Sequence, residues 1–422
     1  MFACVLIAGC KFQATAAPGD GTLGDDGPAM PDSAIDAQMI DAAIDAPPPP
    51  ACTAMSAQCL DAVTLSTCSM ANATPDVTTC NWGCIPNGTA HCGQLAPEGG
   101  AVNSGDLTAS NTDISTTSGV TINTGDGSIT GVTGFSHVLR GNVQIFEFHS
   151  LSLGGSVTII GPNAAAIVAD GPITITGVVD ARGPCASMPN KGGPGGFNGG
   201  PGDMDGMGMG GGGAGTTKND GGGGAGYGAA GGAAGQGGGG GGSYGTSFSV
   251  LVGGSGGGGG HNAMHDGGGG GGAVQLVSNT SVTIGSNGGI NAGGCGGKST
   301  ANDTANGGAG GGGAGGTILI EAPIVKIDGA LAVNGGAGGG STTRGGDATL
   351  DRNAATNGNG GGTGGAAATP DGQNGTKPGG GGGAVGRMHF DTRTGNVIVN
   401  GTMSPAFADP SSTSTKAIAT VQ

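Results

Sequence analysis

Four stretches of this chain carry aliphatic residues at one recurring spacing, and few folds can use such a pattern. In the stretch 315–336, Ile318 and Ile320 lie two residues apart, followed by Val325 and Ile327 and then by Leu331 and Val333. Two residues is the side-chain period of a β-strand. An earlier copy, 271–294, places Val282, Ile284 and Ile290 at the mutual spacing of Val325, Ile327 and Val333. A third contains Val157 and Ile159, Ile173 and Ile175, and Val179; a degenerate fourth runs from Gly383 through Val385 and Phe390 to Val397, Val399 and Met403. One copy has too little apolar surface to make a core, whereas stacked copies pool theirs. The pattern predicts an all-β chain whose body is parallel β-solenoid-like, with Val274, Ile318 and Val385 as neighbours in one hydrophobic column. A β-sandwich with very long glycine loops is the competing architecture. Nothing in the body has a helical period.

Glycine dominates what lies between the strands. Of 105 glycines, 10 fall in the first 100 residues and 95 in the rest. The long segments are 192–242, 253–272, 293–316, 335–347 and 357–384. They lack the three-residue period of collagen. Each begins and ends at the same point of the strand repeat, which predicts loops leaving one edge of a stack. Two states remain open for them: flexible linkers, or extended chains packed side by side, which need dense hydrogen bonding to offset the entropy of ordering glycine. The second arrangement resembles snow-flea antifreeze proteins and some phage fibre tips. Cys185 and Cys295 follow the last short strand of two different repeats, and are expected to share an edge and pair.

The chain opens with an apolar run ending Leu6-Ile7-Ala8-Gly9-Cys10. A branched apolar residue, two small residues and a cysteine resemble the end of a bacterial lipoprotein signal peptide. That resemblance implies cleavage after residue 9, lipid on Cys10 and a membrane partner through the anchor. The run is short and no basic segment precedes it. Lys11, rather than Asp, resembles the outer-membrane sorting state. Residues 10–51 then form an acidic tether: seven aspartates between 14 and 50, no Lys or Arg, and a terminal Pro47-Pro48-Pro49-Pro50. Such a stretch buries too little apolar area to order itself.

Residues 52–93 hold Cys52, Cys59, Cys68, Cys80, Cys84 and Cys92. An even set behind an export signal reads as three disulfides with 15 possible pairings. Paired CxxC spacing, as a zinc site requires, is missing. Trp82, the only tryptophan, is the expected centre of this small core. The cysteine layout with Asn81-Trp82-Gly83-Cys84 resembles small cysteine-rich modules in surface proteins of myxobacteria and their relatives. The body, on the words Gly-Gly-Thr-Ile-Leu-Ile-Glu-Ala-Pro (315–323), Gly-Gly-Ala-Val-Gln-Leu-Val-Ser (271–278) and Gly-Gly-Ala-Val-Gly-Arg-Met-His-Phe (382–390), resembles glycine-rich surface proteins of the same bacteria. The remaining divisions are 94–183, where the strand stack starts, a glycine-rich segment 184–270, the repeats of 271–410 and a tail 411–422.

Chemistry is sparse. Residues 292–299 match a phosphate-loop spacing, but no helix follows to supply amides to a phosphate; no nucleotide is expected. His261, His265 and Asp266 are the densest set of ligand types and read as a solvated loop tip; no metal or cofactor is expected. Asp170, Asp180 and Arg182 share a strand region, as in β-helical polysaccharide lyases and hydrolases, yet charged residues make up 10% of the chain and show no recurrence at equivalent repeat positions, so turn roles are the simpler reading. A net charge of −15 disfavours nucleic acid. Tyr227, Tyr244 and Phe248 are the best residues for a binding patch. The expected function is a structural or adhesive surface protein, outer-membrane-anchored or secreted, meeting polysaccharide, matrix or other cells. A β-helical carbohydrate-active enzyme is the alternative, and ice or mineral binding a weaker one.

Overall fold

Three sheets take the strands of the body in rotation. The computed structural model describes residues 52–300 and 307–422; the expected signal peptide, the expected lipidated Cys10 and the expected acidic tether lie outside the described residues. Sheet 1 runs, in spatial order, Ser136–Arg140, Val143–Phe148, Ala164–Ala169, Ala273–Ser278, Thr317–Glu321, Arg387–Thr392 and Ser414–Ile418. Sheet 2 runs Asp113–Thr116, Ser150–Leu153, Ile173–Ile175, Ser281–Ile284, Ile324–Ile327 and Ile398–Val399. Sheet 3 runs Ser128–Ile129, Val120–Asn123, Val157–Ile160, Val178–Asp180, Gly289–Asn291, Ala330–Ala332 and Thr402–Ser404. Pairing is parallel except at the first strand pair of sheets 1 and 3. Among the described residues there is no α-helix, only a 3-10 turn at Ser104–Thr108.

Alternate residues of all three sheets meet in one apolar cluster. Leu276, Ile320 and Phe390 enter from sheet 1, Ile173, Val282 and Val325 from sheet 2, and Val179, Ile290 and Leu331 from sheet 3. Each such side chain is worth roughly 1.5–3 kcal/mol when fully buried. Two details differ from the sequence expectation. Ile318 pairs with Val274 on one side but with Met388, not Val385, on the other; Val385 is buried in the last glycine segment, where its N–H donates to the Pro370 carbonyl. Ile290 pairs with Leu331 rather than Val333, because the corner from Gly285 to Gly288 is longer than the turn at Asp328 and Gly329 that it matches.

The glycine segments are packed. All of them connect a sheet 3 strand to the next sheet 1 strand, so they cross at one corner. Their hydrogen bonds run between segments: Gly258 N–H to Gly223 O at 2.8 Å, Gly311 N–H to Gly258 O at 2.9 Å, and Gly312 N–H to Gly381 O at 2.8 Å. A Cβ built on Gly311 would stand 2.0 Å from the Gly223 carbonyl oxygen. Closeness of backbones, not an unusual φ, demands glycine here, by the logic of the collagen axis.

The disulfide segment pairs Cys52 with Cys68, Cys59 with Cys84 and Cys80 with Cys92. Trp82 is not its private core. The indole joins Leu95, Val102, Leu107 and Ile145 in the cluster on the outer face of sheet 1, and its Nε1–H donates to Asn279 Oδ1 at 3.0 Å. The module is too small to enclose an indole, and the adjoining sheet face is apolar. Nor is 411–422 a loose tail. Ser414–Ile418 is the last strand of sheet 1, and Gln422 exchanges two backbone hydrogen bonds with Gln94.

Candidate functional site

The outer face of sheet 1 carries a polar cluster that sequence reasoning missed. Parallel register places Gln275, Leu319, His389 and Thr415 in one row, and Val277, Glu321, Asp391 and Ala417 in the next. Side chains two apart share a face, so Glu321, His389 and Asp391 converge. Glu98 comes from the segment that crosses above them. Its N–H donates to Glu321 Oε1 at 2.8 Å. Gln275 Nε2 donates to Glu321 Oε2 at 2.6 Å and to the Glu98 carbonyl at 3.1 Å. His389 Nε2 lies 3.2 Å from Asp391 Oδ1 and 3.9 Å from Glu98 Oε2, and its Nδ1 lies 2.7 Å from Thr415 Oγ1. The covering segment turns at Gly99 and Gly100, both with positive φ; a Cβ on Gly100 would meet the Ser249 carbonyl oxygen at 2.4 Å.

Burial pushes the Glu321 carboxyl up to about 7, against the downward pull of the Glu98 N–H and Gln275. Glu98 is raised by burial and then by the Asp391 charge. His389 is pulled down by burial, but the hydrogen bond and charge of Asp391, with Glu98 and Glu321 behind it, outweigh that and raise it. Chemically the cluster can share protons or hold a cation. It is closed to a polymer: Glu321 is 0%, Asp391 4% and His389 8% exposed. Glu321 and Asp391 do occupy equivalent repeat positions, contrary to the sequence reading that charge does not recur. The signal was present as Ile318-x-Ile320-Glu321 beside Met388-x-Phe390-Asp391, two apolar residues and an acid at one spacing.

The aromatic residues behave differently from an open patch. Tyr227 is 3% exposed, with its hydroxyl 2.7 Å from Thr317 Oγ1 and the Arg387 guanidinium over its ring. It is a packing element, clustered with Ala225 and Ala314 and backed by Tyr244 and Val252. Tyr244 packs on it at 4.7 Å between centroids. Phe248 stacks on His389 at 4.8 Å, so it closes the cluster instead of presenting a free ring.

The other residues named from sequence are placed as follows. Cys185 is bonded to Cys295; Asp347 lies beside them, but the disulfide leaves no thiolate. His265 is buried, unlike a solvated tip, while His261 pairs with Asp203 and Asp266 with Lys298. Asp180 takes a two-pronged contact from Arg182, and Asp170 accepts from Asn279. In the 292–299 stretch, Gly297 N–H is taken by the Ala337 carbonyl and Gly296 N–H by the Asp347 carboxylate, which repels phosphate.

Two surface features lie apart from this cluster. A cavity of about 580 Å³ lies at the C-terminal end of strand Val157–Ile160 and includes Met188, Phe197, Met207 and Lys191 in its lining; it shares no residue with the acid–histidine cluster. Sheet 2 presents an outward row of Ser115, Ser152, Thr174 and Thr283, one per strand, continuing to Lys326 and Ile398. Strand spacing sets these hydroxyls about 4.8 Å apart. Where the outer face of sheet 1 is sealed at Ala164, Ala273 and Leu319, this row stays exposed or half-buried. No protein-family profile, curated protein or solved structure matches the chain.

Proposed function

We propose that the chain is a structural or adhesive protein of the outer cell surface, anchored by lipid on Cys10, whose three sheets are successive sides of a β-solenoid. The observation that carries this reading is the open hydroxyl row on sheet 2. Ser115, Ser152, Thr174 and Thr283 offer evenly spaced donors and acceptors, which suit a repeating, hydroxyl-rich partner such as polysaccharide or matrix. The face ends in exposed Ile324 and Ile398, so apolar contact can add to polar contact. The anchor and acidic tether would hold this body away from the membrane.

The test is a glycan-array and whole-cell binding assay on the full chain, beside the Thr174→Lys/Thr283→Lys variant. Polysaccharide or cell binding by the parent chain that drops at least tenfold in the variant supports the reading. No binding to any surface, with release of sugar products, would overturn it. The carbohydrate-active alternative draws on the in-register Glu321 and Asp391. Their burial under Glu98 and Phe248 weighs against it, because a glycosidic bond has to reach both carboxyl groups.

A further inference from the structure

We propose that Glu98, His389 and Asp391 form a divalent metal site of the zinc class, which fastens the covering segment around Glu98 to the outer face of sheet 1. One ligand atom from each residue lies within 4.8 Å of the other two. The closest separations, 3.2 Å from His389 Nε2 to Asp391 Oδ1 and 3.9 Å to Glu98 Oε2, bracket the roughly 3.3 Å between neighbouring ligands of a tetrahedral ion with bonds of about 2.0–2.2 Å. An imidazole and two carboxylates are a donor set that zinc accepts.

Four further observations favour an ion over a bare cluster of acids. The other ring nitrogen of His389 is engaged by Thr415 Oγ1 at 2.7 Å, the outer contact that orients a ligating histidine. Glu98 Oε2 is cut off from solvent, and among the described residues no hydrogen-bond donor reaches it. Gln275, fully buried and bonded to Glu98 and Glu321 through Nε2, likewise leaves its Oε1 without a donor. Three carboxylates, those of Glu98, Glu321 and Asp391, surround one imidazole, and among the described residues no Lys or Arg pairs with them. A divalent cation supplies the missing charge. Glu321 is not a ligand: both its oxygens are occupied, one by the Glu98 N–H and one by Gln275. Its role is to position Glu98. Glu98 is also the partly exposed member of the set, although its Oε2 itself is covered. The site is independent of the adhesive reading, since it lies on a different sheet from the hydroxyl row.

The experiment is calorimetric titration of the chelator-treated full chain with zinc chloride, alongside visible spectroscopy with cobalt(II). One ion per chain is expected, with a cobalt spectrum of four-coordinate type. His389→Ala and Asp391→Asn should each weaken binding at least tenfold, while Asp266→Asn, on the far glycine segment, should leave it unchanged. Because His389→Ala also removes the ring stacked on Phe248, the imidazole signals of His389 in the unaltered chain give a second measurement, and they should shift on adding zinc in step with the calorimetry. Absence of binding, binding that survives His389→Ala, or His389 signals that answer to pH but not to zinc would each overturn the proposal.

Discussion

Glu321 and Asp391 face each other in register on adjacent parallel strands of sheet 1. Like charges at neighbouring positions destabilise a sheet, and here both are buried. The protein tolerates them because Gln275 and the Glu98 N–H hold Glu321, while His389 sits against Asp391. Glu98 and Gln275 reach Glu321 from 223 and 46 positions away in sequence, whereas His389 lies two residues before Asp391 on the same strand.

The glycine layer predicts a sharp contrast between two alanines. Gly311→Ala places a methyl 2.0 Å from the Gly223 carbonyl oxygen, whereas Gly239→Ala meets nothing within 4 Å. The first should cost about 3 kcal/mol or more, above the usual overpacking range. The second should be neutral, or stabilise by up to about 1 kcal/mol through the unfolded chain. Urea midpoints of the two variants decide it, and equal midpoints would count against a packed layer.

Asn279 and Trp82 predict how the disulfide module is docked. Asn279→Ala removes the acceptor of the buried indole N–H and should cost about 1–3 kcal/mol. Because Trp82 is the only tryptophan, its emission reports the event directly and should shift to the red. An unchanged spectrum would mean the module holds the indole by itself.

Cys185 and Cys295 close a loop with a sequence separation of 110. On chain entropy alone, the double alanine variant should lose about 4–5 kcal/mol. Thermal unfolding with the other bridges intact measures it. A loss under about 1 kcal/mol would show that the glycine hydrogen bonds already restrain that corner.

Acid sensitivity should be traceable to Asp106. Burial pushes its carboxyl up, but the Arg140 guanidinium (2.7 Å from Nη2 to Oδ1) and the Asn103 N–H outweigh that and hold it below the ordinary carboxylate value. A depressed value means that the folded state favours the charged form. The stabilisation is therefore complete above about pH 4 and is lost as pH falls through the folded-state value. Asp106→Asn should be less stable than the parent at pH 7, by on the order of 2 kcal/mol, and the gap should close as pH falls through the lowered folded-state value. Parallel stability curves across that range would contradict the assignment.

What the strands would be was legible because the rule is local. An aliphatic residue at every second position identifies a strand and its inward face, and Val282 with Ile284 or Val325 with Ile327 needed nothing more. Register across the stack was less legible. Val385 and Val333 had the right residue type, but the lengths of the intervening corners moved Met388 and Leu331 into their places. Corner length is decided by turn geometry and by backbone hydrogen bonds such as Gly288 N–H to Gly285 O, which composition does not reveal.

The sequence by itself determined that this chain is β throughout its body, that its strands recur, and that glycine fills what lies between, since periodicity and the missing side chain act over a few residues. Only the tertiary structure decided that the glycine segments pack as one bonded layer, that Trp82 belongs to the sheet beside it, and that Glu98 meets Glu321 from 223 positions away. Those outcomes depend on which backbones come within hydrogen-bond reach and which charges share a buried space, and both are set by the folded arrangement of distant segments rather than by any stretch read alone.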